Sequence, residues 1–135
     1  MTTFADDYAE ISNLFARYCL TLDHQELDAW LDVFTPDGSF HSYGRQWTGP
    51  DELKNVMTYA PQGLHHGGPV VIEEITKDSA RTRQNLYFVD RETGESRLTV
   101  YDDELRRVDG KWKIHMRLCR YLTSEGVSIR PARKK

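Results

Sequence analysis

The 135-residue chain is poor in cysteine, has no long apolar run and carries no strong excess of either charge. Its two cysteines, Cys19 and Cys119, stand far apart and in no metal-ligand spacing, which excludes a disulfide scaffold and a zinc ribbon. Free thiols and a cytoplasmic location are the expectation. No apolar stretch approaches the roughly 20 residues of a membrane span. The opening Met1-Thr2-Thr3-Phe4-Ala5-Asp6-Asp7 has neither the basic nor the apolar region of a secretory signal, so none is expected. Eighteen Lys and Arg against 21 Asp and Glu give a net charge of −3, which argues against a general nucleic-acid binder. What remains, 39% hydrophobic and 29% charged, is an ordinary soluble globular composition. The length predicts one domain that buries about two thirds of its unfolded surface, enough for a core and one internal pocket. That domain is expected over residues 1–123. A basic tail is expected over 124–135, and its end, Arg130-Pro131-Ala132-Arg133-Lys134-Lys135, reads as a solvated terminus.

The apolar period divides the chain in two. Phe4, Tyr8, Ile11, Phe15, Tyr18 and Leu22 alternate steps of four and three, the pattern of an amphipathic helix. Leu27, Trp30, Leu31 and Phe34 predict a second, short helix, which Thr35-Pro36-Asp37-Gly38 stops with turn chemistry. A short strand is expected over Ser39 to Tyr43. Gly49-Pro50 opens a third helix with Leu53, Val56 and Met57 as its stripe. From Leu64 the period becomes strand-like. Four strands are predicted, over Leu64–Thr76, Ala80–Arg91, Arg97–Val108 and Lys111–Leu122, with a tight hairpin at Asp109-Gly110. Trp112, Ile114, Met116 and Leu118 alternate on one face of the last. Helices first and strands after predict an α+β fold, with the helices packed on a curved antiparallel sheet that encloses a cone-shaped cavity.

Candidate chemistry starts with histidine and carboxylate. A histidine gains or loses a proton near neutral pH, and a carboxylate beside it fixes its tautomer and stabilises the imidazolium. Asp23 and His65 can form such a pair. Asp23-His24-Gln25-Glu26 also has capping-box spacing, so Asp23 is equally a candidate helix cap. Tyr18 lies on the stripe of the first helix, about 140° round from Asp23, so both reach one cavity only if that helix ends at or before Asp23. His65 and His66, as strand neighbours, point to opposite faces, so only one enters a cavity and the two do not readily share a metal ion. With no HExxH motif either, no metal site is expected. Arg117 alternates with Met116 and Leu118 and faces away from the Trp112–Ile114 side, where a cross-strand ion pair awaits it, unless a β-bulge re-aims it inward. Tyr43, Trp47, Asn85, Tyr87 and Tyr101 are candidate lining residues. His24, His41 and His115 read as surface or structural.

The ordered set Tyr18…Leu22-Asp23, Trp30-Leu31-Asp32-Val33-Phe34-Thr35-Pro36-Asp37-Gly38, Gly49-Pro50-Asp51-Glu52, Leu64-His65-His66-Gly67 and Asp103-Glu104-Leu105-Arg106-Arg107-Val108-Asp109-Gly110-Lys111-Trp112-Lys113-Ile114 resembles the SnoaL-like branch of the nuclear transport factor 2-like superfamily. The resemblance spans about residues 5 to 122. It implies a cone-shaped α+β barrel. The members most similar at the site, scytalone dehydratase, the bile acid dehydratase and the hexachlorocyclohexane dehydrochlorinase, are cofactor-free lyases with an Asp–His pair. By resemblance the pair falls on Asp23 and His65, a nearby Tyr on Tyr18, and a last-strand Arg on Arg117. Aligning forward from Gly67 to Ile72-Glu73 selects His65 over His66. Tyr101 falls where scytalone dehydratase has a pocket asparagine. That enzyme's second histidine is absent from Arg83-Gln84-Asn85-Leu86-Tyr87-Phe88-Val89-Asp90, which argues against its substrate here.

The resulting expectation is a cofactor-independent lyase, dehydratase-like, or a proton-transfer isomerase. It would act on a cyclic or aromatic, largely apolar small molecule and form a homodimer or homotrimer. No cofactor, metal, nucleic acid or membrane partner is expected. Two alternatives stand beside it. Leu22-Asp23 to Phe34 and Asp103-Glu104-Leu105-Arg106-Arg107 also resemble the non-catalytic small subunit of aromatic-ring-hydroxylating dioxygenases. A ligand-binding carrier of the same fold is the other.

Overall fold

A computed structural model describes residues 2–131. The first helix, α1 (Phe4–Asp23), starts with a capping box in which Thr3 and Asp6 satisfy each other's backbone N–H groups. It buries Ile11, Leu14, Phe15, Tyr18 and Leu22. Phe4, expected on that stripe, is exposed and lies only against the Tyr8 ring. After Asp23 the chain reverses through Gln25, whose φ is 55°, into the short α2 (Leu27–Leu31). The N-cap of α2 is Glu26 and has no side-chain cap bond, so the capping box offered by Asp23 and Glu26 does not form.

Strand β1 (Phe34–Ser42) begins earlier than expected. Thr35-Pro36-Asp37-Gly38 does not end the segment; it bulges from the ladder between Phe34 and Ser39. A Cβ on Gly38 would sit 3.0 Å from the Ile114 carbonyl oxygen, so the bulge needs glycine for close approach. Tyr43 and Gly44, with φ of 57° and 73°, turn the chain into β2 (Arg45–Thr48), a strand the periodicity did not reveal. Helix α3 (Gly49–Tyr59) follows, with Pro50 in its first turn. The meander β3 (Gly63–Ile75), β4 (Ser79–Asp90), β5 (Ser96–Val108) and β6 (Lys111–Thr123) matches the predicted strands to within one or two residues. Asp109 and Gly110, both left-handed at φ 50° and 79°, make the expected hairpin. A further strand, β7 (Gly126–Ser128), which the periodicity did not reveal, pairs with β6 ahead of Arg130. Residues 132–135 of the basic tail lie outside the described residues.

The sheet runs β2-β1-β6-β5-β4-β3, antiparallel except between β1 and β6, and curves round the helices without closing. The core between them holds Phe15, Tyr18, Trp30, Leu53, Leu105 and Ile114, each nearly inaccessible. The buried carboxylate of Asp7 ties the start of α1 to the sheet, accepting hydrogen bonds from Trp112 Nε1 at 3.1 Å and Arg107 Nη2 at 3.0 Å. Among the described residues no helix is long and apolar enough to cross a membrane.

One irregularity decides what faces inward. Glu104 pairs with Met116 but Leu105 pairs with Ile114, so His115 is the extra residue of a β-bulge in β6. Before it, Trp112 and Ile114 face the core. After it the alternation is reversed, and Arg117, Cys119 and Tyr121 face in while Met116 and Leu118 turn out. The single-face alternation read from Trp112 to Leu118 therefore does not hold.

Candidate active site

Helix α1 ends at Asp23, and that ending aims its carboxylate at β3. Asp23 Oδ1 accepts from His65 Nδ1 at 2.5 Å, and Oδ2 accepts from the His65 backbone N–H at 2.9 Å. A carboxylate can only accept here, so Nδ1 carries a proton, and in the neutral ring Nε2 carries the lone pair. The two side chains are 9% and 12% exposed. Nε2 has no hydrogen-bond partner among the described residues. The His65 ring packs on Phe88 at a centroid distance of 4.7 Å. His66 is exposed on the opposite face.

His65 stands in the wall of a cavity of about 590 Å³ between α1, α3, the β1–β2 hairpin and the inner face of the sheet. Tyr18, Tyr43, Trp47 and Tyr101, named from sequence, line it. Asn85 and Tyr87 do not; both are exposed on the outer face of β4. The reason is parity: His65 pairs with Phe88 and Gly67 with Leu86, so the inward residues of β4 are Leu86 and Phe88. Alternation was visible in this strand, but the choice of face needed the register.

Arg117 is turned inward by the bulge, yet it does not line the cavity. It sits directly opposite Asp103 and donates two hydrogen bonds to it, Nε and Nη2 each at 2.8 Å, with both side chains fully buried. Its guanidinium carbon also lies 4.5, 4.3 and 4.1 Å from the ring centroids of Phe15, Tyr18 and Tyr101. The substrate contact expected by resemblance is not seen in the cavity wall: Asp103 takes Nε and Nη2, Nη1 is buried with no hydrogen-bond partner among the described residues, and Tyr18 and Tyr101 line the cavity where Arg117 does not. Burial works against both charges. For Arg117 the attraction of Asp103 outweighs it and holds the guanidinium above its ordinary value, while Asp103 stays above the usual carboxylate range despite Arg117.

Burial likewise pushes the Tyr18 hydroxyl far above an ordinary phenol, with Arg117 and a hydrogen bond to Tyr101 pulling partly back. Burial raises Tyr101 and Tyr121 too. These phenols are neutral O–H donors at any working pH. Both cysteines are free, and burial pushes each thiol up to about 11, so Cys119 in the cavity wall is no thiolate nucleophile at neutral pH. The remaining histidines are structural or exposed. His24 Nδ1 meets the Leu20 carbonyl, His41 meets Ser39, and His115 meets Thr35. The sequence reading missed the cavity residues Arg45, Arg97 and Arg130, which no apolar period marks.

No curated protein sequence matches the chain. Among solved structures it is similar to Rv3472, a Mycobacterium tuberculosis protein of unknown function, at 25% identity and a TM-score of 0.78 over 95% of this chain and 73% of that one. A scytalone dehydratase-like protein from Novosphingobium aromaticivorans superposes with a TM-score of 0.79 at 21% identity, covering 96% and 91% of the two chains. The hexachlorocyclohexane dehydrochlorinase LinA-type3 from Novosphingobium barchaimii gives 0.76 at 18%, covering 97% and 93%. The latter two likenesses establish the fold. A SnoaL-like domain model matches residues 3–117, and the chain belongs to the SnoaL-like family of the nuclear transport factor 2-like superfamily.

Proposed function

We propose that the protein is a cofactor-independent lyase or isomerase acting on a cyclic or aromatic small molecule. The observation that carries this reading is a histidine held at two points by a carboxylate in a cavity wall, with Nε2 left free. Nε2 takes a proton from an activated carbon. The electron pair left behind forms a double bond as a group on the neighbouring carbon departs with its bonding electrons. In the isomerase variant the pair instead delocalises onto a carbonyl oxygen, and His65 returns the proton elsewhere. Asp23 keeps the ring in the accepting tautomer and stabilises the imidazolium. Tyr18 and Tyr101 donate hydrogen bonds to the developing oxyanion or the leaving group. Arg117 acts through them as a positioning residue, its cation set against both ring faces. The aromatic walls, Tyr18, Phe40, Trp47, Phe88, Tyr101 and Tyr121, suit a flat apolar body.

A carrier needs no proton acceptor in its wall, and the Asp23–His65 geometry speaks for chemistry over storage. His65→Ala should lower turnover by about 10²–10⁴-fold with the circular dichroism spectrum unchanged. A screen of cyclic hydroxy-ketones and halides by mass spectrometry supplies the substrate. Full activity in His65→Ala on that substrate would overturn the mechanism.

A further inference from the structure

The cavity has a charge pattern that an apolar substrate does not explain. Three arginines, Arg45, Arg97 and Arg130, line it, and no Asp or Glu does among the described residues. They gather on one feature, the β1–β2 turn. Arg97 Nη1 donates to the Tyr43 hydroxyl at 2.7 Å. Arg130 Nη2 lies 3.8 Å from where a Cβ on Gly44 would stand, and Arg45 is the next residue. The Asp90 carboxyl is lowered chiefly by the backbone N–H groups of Thr93 and Glu92, with a smaller pull from the Arg97 charge, while the Arg97 guanidinium donates to Tyr43. In a chain of net charge −3, the three arginines are a local concentration of positive charge at one concave site.

The register relates that charge to the proposed base. His65 pairs with Phe88, and Phe88 pairs with Arg97. The three side chains share the inner face and form one row across β3, β4 and β5. Two strand spacings put His65 and Arg97 about 10 Å apart at their backbones. Phe88 lies between them and packs on the His65 ring.

We infer that the substrate is an amphiphilic anion: a cyclic or aromatic body lying along Phe88, with its reacting carbon at His65 and an oxyanion group held by Arg97, Arg45 and Arg130. Guanidinium forks match the oxygens of such a group. From the functional reading this takes only that the same cavity holds the substrate.

Binding is measured by calorimetry without turnover, using 2-naphthoate, 2-naphthyl phosphate and the neutral 2-naphthylmethanol. At least one anion should bind about tenfold or more tightly than the alcohol, a difference of about 1.4 kcal/mol. Whichever anion binds tighter identifies carboxylate or phosphate. The preference should shrink in 0.5 M NaCl. It should also fall at least threefold in Arg97→Gln and in the double variant Arg45→Gln/Arg130→Gln, and persist in His65→Gln. Equal or tighter binding of the alcohol, no measurable binding of either anion, or a preference untouched by the arginine variants overturns the proposal. A preference that survives Arg97→Gln but disappears with His65→Gln would move the anion to the imidazole and also overturn it, leaving the acid–base reading in place. A fully active His65→Gln with the preference intact would instead remove the acid–base reading alone.

Discussion

Asp23 closes α1 and grips His65 by two atoms at once, the ring Nδ1–H and the backbone N–H. One carboxylate thereby fixes both the position of β3 at that point and the tautomer of its histidine. The two functions separate in a variant. Asn at position 23 keeps an oxygen for the backbone N–H but removes the charge that steadies an imidazolium.

In the wild-type protein, nitrogen NMR should therefore find His65 protonated at Nδ1 and bare at Nε2. Asp23→Asn should keep the fold and its unfolding midpoint within a few degrees while lowering turnover by about 10²-fold or more. A wild-type His65 protonated on Nε2 alone would contradict the assigned role.

The Asp103–Arg117 pair makes a stability prediction. Removing one partner leaves a buried charge without compensation, which costs about 3–5 kcal/mol. Asp103→Ala and Arg117→Ala should each show this loss in urea unfolding, whereas Asp103→Leu/Arg117→Met should lose much less. Deleting His115 leaves Leu105 opposite Ile114, Glu104 opposite Met116 and Asp103 opposite Arg117 in a regular ladder, so that variant should keep the buried pair and lose less than the single substitutions. Single substitutions as stable as the wild type would show that the pair is not buried as described.

The acid limb of stability should depend on Asp7. Burial alone would raise its carboxyl, but hydrogen bonds from Trp112, Thr2 and Arg107, with the Arg107 charge, outweigh burial and lower it. A carboxyl lowered on folding adds stability that is full above its unfolded value, near 3.8, and lost as pH falls through the lower folded value. Asp7→Asn should thus be less stable at pH 7 and lose less on acidification to pH 3. Parallel pH curves for the two proteins, from urea midpoints, would show that Asp7 contributes nothing to the acid limb.

The outer face of the sheet predicts self-association. Tyr87 pairs with Leu98, Val127 pairs with Leu122, and Leu98 and Leu122 adjoin the paired Thr99 and Tyr121, so exposed apolar side chains stand on neighbouring strands β4, β5, β6 and β7. We expect a homodimer or homotrimer through this face. Light scattering should find it for the wild type and a monomer for Tyr87→Glu/Leu98→Glu. A monomeric wild type at micromolar concentration would refute this.

Much of the architecture was legible in the chain because it is local. The apolar step pattern of α1 and the Asp109-Gly110 hairpin are set by neighbours a few residues apart. The family motifs led to Asp23 and His65 as candidates, and Tyr18, Tyr43, Trp47 and Tyr101 were named for the cavity they line. Three things waited for the tertiary structure. Asn85 and Tyr87 lie outside because strand parity is settled by pairing with β3. Arg117 lies inside because His115 shifts the parity of β6, and its partner sits fourteen residues away on β5. Arg45, Arg97 and Arg130 converge on one turn from three separate segments. Periodicity reports which residues share a face; register, bulges and the curl of the sheet decide which way that face looks and which distant charges meet there.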